Sequence, residues 1–105
     1  MAYGMDNIET RLHSRLAYSD YMVAFGVASE WLNPANSNRL GLTLNFALFY
    51  HEVLGQDQHA CHLAKYGFDE AVRFIDTFPE YDVPDDSFLA LSILKEHMIS
   101  WTSRP

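Results

Sequence analysis

A chain of 105 residues that is 49% hydrophobic and 14% aromatic has material for one modest core and is too apolar to be disordered. Fourteen acids against seven bases give a formal charge of -7. That balance speaks against nucleic acid and anionic membrane as partners, since both attract clustered Lys and Arg.

The first helix is expected over residues 6–32. Ile8, Leu12, Leu16, Val23, Val27 and Trp31 give it one apolar stripe, and Tyr21, Phe25, Ala28 and Leu32 a second. Asn33-Pro34 stops it, because proline disfavours helix in the residue before it and donates no amide. The second helix is expected over 38–54, with Ser37 as N-cap and Gly55 just past its end. Its sequence, RLGLTLNFALFYHEVL over residues 39–54, leaves almost no solvent side. Leu42, Phe46, Phe49 and Val53 form one stripe, and Leu40, Leu44, Ala47 and Leu48 another. A surface helix normally keeps its far face polar.

The third helix is expected over 58–78, capped by Asp57 and closed by Pro79. Cys61, Ala64, Phe68, Ala71 or Val72, Ile75 and Phe78 make its stripe. PEYDVPDD reads as a loop, with Asp85 or Asp86 capping a fourth helix over 86–101. There Phe88, Leu91, Leu94 and Met98 share one face, and Leu89, Ile93, His97 and Trp101 share another. Gly26 and Gly67, inside helices, mark weak points or close helix contacts. Short connections make neighbours antiparallel. The fold class expected is all-α, an antiparallel array of about four helices forming a single domain over 1–105.

The second and fourth helices each set a lone polar group, Asn45 or His97, in an extra apolar stripe. A helix apolar on two sides is usually sandwiched between neighbours. The alternative is a groove for an extended peptide, with apolar walls for its side chains and an amide or imidazole for its backbone.

Other chemistries find little support. His51-Glu52 opens like H-E-x-x-H, but Gly55 stands at the last position. His59 and His62 could share a helix face, whereas Cys61 points elsewhere, and two ligands fall short of the four usual for structural zinc. Glu80, Asp82, Asp85 and Asp86 read as a solvated loop and cap. No phosphate-binding glycine loop or nucleophile elbow is visible. No enzymatic activity, metal or cofactor is expected. The single cysteine excludes an internal disulfide framework and fits a reducing compartment. No apolar run nears the ~20 residues of a membrane helix, and the first residues lack a secretory pattern. A cytoplasmic location, with the nucleus also open, is therefore expected.

NRLGLTLNFALFYHEVL, ACHLAKYGFDEAV, FIDT and SWTS, in this order, resemble the C-terminal half of the 14-3-3 proteins. The similarity extends back through AYSDYMVAFGVASEWLNPANSNRLGL, so it covers roughly residues 16 to 103. It implies the last four or so of nine antiparallel helices, in a family of dimeric adaptors that hold phosphoserine or phosphothreonine peptides in an amphipathic groove. By position, the resemblance assigns Leu44, Leu48, Leu89, Ile93 and Trp101 to the apolar wall. It makes Asn45 the backbone-fixing amide and Glu52 an acid of the groove helix. His97 stands where the family has a second asparagine.

The family's phosphate-gripping arginines, lysine and tyrosine, and its dimer interface, lie in earlier helices that this chain does not carry. Arginine forks make phosphate recognition tight. A groove without them is expected to bind protein segments with impaired or absent phosphate recognition, or to persist only as a scaffold that has lost peptide binding. The starting Met1 favours a natural short protein over a fragment. Lacking the earlier helices, the chain is expected to self-associate, or to take a helical partner, through Tyr18, Tyr21, Met22 and Phe25.

Overall fold

The computed structural model describes residues 3–102, with side chains from Ile8 onward. Ser103 of SWTS and Arg104 lie outside the described residues. The order is α1 Tyr3–Trp31, α2 Ser37–Glu52, α3 Asp57–Thr77 and α4 Asp85–Thr102, with no strand among the described residues. The all-α expectation holds. None of these helices is long and apolar enough to cross a membrane.

The joints follow from local chemistry, with three corrections. Asn36, rather than Ser37, caps α2: its Oδ1 accepts the amides of Asn38 (2.9 Å) and Arg39 (3.1 Å). Asp57 is the first residue of α3 and not its cap, and its carboxylate turns back to His51 at 2.6 Å. Gly55, at φ 63°, takes the left-handed turn between α2 and α3, where a side chain would be strained. Neither Asp85 nor Asp86 caps α4: both lie inside its first turn, favourable against the helix dipole, and it is the carbonyl of Pro84 that accepts the amide of Ser87 at 3.0 Å. Buried Ser87 donates its hydroxyl to the Ala35 carbonyl at 2.5 Å, tying α4 to the α1–α2 connection.

α2 is the central element, which accounts for its two stripes. On one side Leu40 and Ala47 join Ala60, Ala64 and Ala71 of α3 with Ala90, Leu91, Leu94 and Trp101 of α4. On the other, Phe46 and Phe49 take the aromatics of α1. Tyr21 stacks on Phe46 at 5.2 Å, Tyr18 and Phe25 tilt against it, and Tyr18 also meets Tyr50 edge-on. Such ring pairs add roughly 0.5–1.5 kcal/mol each beyond area burial.

The stripe of α3 is rotated from the one expected. Its innermost residues are Ala60, Ala64, Gly67 and Ala71, while Cys61, Phe68 and Ile75 flank them and Val72 and Phe78 are exposed. Small residues occupy the line of contact because the backbones approach closely there. A Cβ on Gly67 would lie 2.6 Å from Cγ2 of Thr43.

A further correction concerns α1, which among the described residues packs on α2 alone. Tyr18, Tyr21 and Phe25, expected to be free for a partner, are half-buried against α2, leaving only Met22 of that set exposed. The phenylalanines of α2 needed an apolar cover, and the aromatic side of α1 supplies it. The side left open is the other stripe, from Ile8 to Trp31.

Candidate peptide-binding face

Along the open edge of α2, Leu44 and Leu48 are half-buried against the core, with Asn45 and Glu52 exposed. Asn45 and Glu52 are seven residues apart, two turns along one side of the helix. The side chain of Asn45 makes no hydrogen bond to another residue among those described. Its amide therefore stands in water beside the two leucines, able both to donate and to accept.

α4 packs beside α2 and carries Leu89, Ile93, His97 and Trp101 one turn apart. Their burial increases along the helix. Leu89 is 61% exposed, Ile93 and His97 are half-buried, and Trp101 is 8% exposed. His97 stacks on Trp101 with centroids 5.0 Å apart and planes 17° apart. His51 of α2 closes on the same indole at 4.9 Å. The structure thus brings Trp101 and His97 into contact and joins them to α2 through His51. Leu89 and Glu52 stand in solvent at the margins, apart from that cluster.

Sequence reasoning set His51 aside with an incomplete zinc motif. The signal was its spacing, since His51 continues the series Leu40, Leu44, Ala47 and Leu48 that faces α4. Its Nδ1 lies 2.6 Å from Oδ1 of Asp57, so one carboxylate at the start of α3 orients the ring that buttresses Trp101. Neither remaining histidine pattern builds a metal centre. His59 stacks on Tyr50 at 5.6 Å, and no group of three or more His, Cys, Asp or Glu converges among the described residues.

Two ionisable groups behind this face are shifted. Burial pushes the Tyr50 phenol up to about 12, helped by its contact with Tyr18, whose hydroxyl lies 3.4 Å away. Burial, and secondarily the charge of Asp57, pushes the Cys61 thiol up.

Of the cations on α2, α3 and α4, none is directed at this face. Arg39 is buried and donates Nη1 to the Leu32 carbonyl at 2.8 Å and the Ser29 carbonyl at 3.4 Å, satisfying the C-terminal end of α1. Lys65 pairs with Asp69 and Arg73 with Glu70, both within α3. Lys95 lies two residues from both Ile93 and His97, which puts it on the far flank of α4. Glu52 is the one charged residue of α2 on this edge.

Comparison with known proteins places these features in a family. The family model described as 14-3-3 protein matches residues 5–102. The chain is 43% identical to 14-3-3 protein homolog 2 of Schistosoma mansoni, over 86% of this chain and 40% of that protein. It is 42% identical to 14-3-3-like protein 1 of Caenorhabditis elegans, over 79% of this chain and 33% of that protein. It is 40% identical to 14-3-3 protein theta of Mus musculus, over 98% of this chain and 40% of that protein. The chain therefore spans well under half the length of these relatives.

Proposed function

The chain belongs to the 14-3-3 family, and from that premise we propose that it is a non-enzymatic adaptor, working in the cytoplasm, that holds extended segments of other proteins along the α2–α4 face. Leu44, Leu48, Leu89, Ile93 and Trp101 offer the apolar surface. Asn45 and His97 bond the guest's backbone, and Glu52 sets the charge at the edge. The observation that carries this reading is Asn45, its side chain exposed and unbonded beside two half-buried leucines. A core amide would be satisfied internally; this one is left for a guest.

Phosphate is not the anchor. A tight phosphate site needs a fork of guanidinium donors, and Arg39 is buried with its Nη1 turned to the carbonyls at the end of α1. The net charge of -7 opposes an anionic guest. The preferred segment is an unphosphorylated one with apolar side chains.

Calorimetric titration of a phosphoserine peptide and its unphosphorylated twin tests the reading. Binding of the twin at least as tightly as the phosphopeptide is expected, and a clear preference for phosphate would overturn this account of specificity. Binding of neither favours a helical scaffold that no longer takes peptides. Asn45→Ala should weaken binding roughly 3–10-fold, the value of one net hydrogen bond, with stability changed by less than about 0.5 kcal/mol.

A further inference from the structure

Trp101 is met by two imidazoles of different standing. His97 stacks on it at 5.0 Å and His51 closes on it at 4.9 Å. His51 has its own counter-charge, with Oδ1 of Asp57 2.6 Å from its Nδ1. A proton taken up there completes a neutral pair and leaves little net field over the face. His97 is half-buried, and its ring makes no hydrogen bond to another residue among those described. A proton taken up there meets no bonded carboxylate.

The groups around His97 leave that difference intact. On α4 itself Lys95 and Glu96 flank it, both exposed and opposite in sign. From α2 come the paired His51 and, at the margin, the exposed Glu52, while Tyr50 turns to Tyr18 of α1. From α3 come Asp57, already bonded to His51, and Cys61, whose thiol is kept neutral by burial. Lys65 of α3 is paired with Asp69, and His62 is exposed.

We propose that His97 determines which guest the α2–α4 face takes: when protonated it favours a segment that sets an Asp or Glu carboxylate against its imidazolium beside Trp101, and when neutral it favours an uncharged segment. This inference rests on the peptide-binding reading above. Histidine changes charge between about pH 5 and 8, a range in which Asp and Glu stay ionised, so the cation and its anionic guest coexist there. An imidazolium 5.0 Å from the indole lies within the ~6 Å at which a cation is drawn to an aromatic ring, so protonation keeps the ring stacked where the guest meets it. Its two N–H donors point from separate edges and form no parallel fork, which suits one carboxylate oxygen better than a phosphate.

Two measurements test the proposal. The first needs no guest. The chain has two tryptophans, and Trp31→Phe, at an exposed position, leaves Trp101 to report alone. Its fluorescence should fall as pH drops from about 8 to 5, since an imidazolium quenches a stacked indole, and adding His97→Asn should remove a large part of that fall. A fall of the same size with and without His97 overturns the proposal.

The second is calorimetric titration of an apolar peptide carrying one Glu and of its Gln twin, at about pH 5.5 and about pH 8. The Glu peptide should gain about 3–10-fold over its twin on going to the lower pH, the value of a half-exposed charged hydrogen bond. In His97→Asn the ratio should be the same at both pH values, whereas His62→Asn should keep the wild-type change. A wild-type ratio that does not move with pH overturns this proposal and leaves the peptide face standing. So does a change lost equally in His62→Asn, which would assign it to overall charge. Binding of neither peptide at either pH overturns the peptide face and this proposal together.

Discussion

α1 and α2 start from the same pattern and reach different ends. Each has two apolar stripes with little polar surface between them. α2 has neighbours on both sides, with the alanine-lined α3 and α4 against Leu40 and Ala47, and the rings of α1 against Phe46 and Phe49. Among the described residues α1 has a neighbour on one side only, and its stripe from Ile8 to Trp31 is exposed. Periodicity tells which faces are greasy; the number of helices within reach tells which are covered. The outer stripe of α1 and the edge of α2 around Asn45 are the two places where apolar or polar side chains meet water rather than a neighbouring helix of the described residues.

Substitution within the two regions should break the comparison most sharply. Leu94→Ala or Leu40→Ala removes a side chain buried among α2, α3 and α4, and is expected to cost about 2–5 kcal/mol in urea unfolding. Leu16→Ala on the outer stripe, measured at dilution, should change stability by no more than about 0.5 kcal/mol. Equal losses would mean that the stripe is covered within the single chain.

Next come the two interior glycines. Gly67→Ala forces a methyl against Thr43, itself buried and bonded through Oγ1 to the Arg39 carbonyl, and should destabilise by about 1–3 kcal/mol despite the better helix propensity of alanine. Gly26→Ala, in open space, should stabilise the monomer by up to about 1 kcal/mol. Thermal melts of both variants compare a crowded helix crossing with an unoccupied one.

The seam between α1 and α2 predicts an alkaline signature. The Tyr50 phenol is raised to about 12 when folded, against about 10 in an unfolded chain. Above pH 10 the unfolded state sheds its proton first. Stability is therefore fully present below pH 10 and declines as pH climbs toward 12. Tyr50→Phe should flatten that slope in denaturation curves collected across the range. The smallest effect concerns Cys61. With its thiol raised by burial, alkylation by iodoacetamide near neutral pH should run slower than for a free cysteine, and a rate equal to the free thiol would contradict the packing at that edge.

Much of the architecture was legible because it rests on local rules. Proline at 34 and 79 and glycine at 55 punctuate the chain, and the spacing of apolar residues declares helices. The errors fell where a choice depended on something distant. Asn36 won the cap from Ser37 by one residue, since either side chain could reach the free amides. Asp57 left the cap because His51 offered its carboxylate a partner. The α3 stripe turned toward its small residues because the approach of α2, at Thr43 and Gly67, admitted nothing larger. His51, read against a zinc motif, proved to be the link between α2 and Trp101 only once α4 lay alongside it.

By itself the amino-acid order determined four helices, an acidic balance of charge, the faces that are apolar, and membership in a family. Those properties are local or additive, carried by each residue wherever the chain goes. Only the tertiary structure decided that the aromatic side of α1 closes on Phe46 while the aliphatic side stays open, and that Arg39 serves the end of α1. Burial is competitive. A helix has several apolar sides to offer but few neighbours to cover them, and the side that wins is the one whose shape matches what is already there.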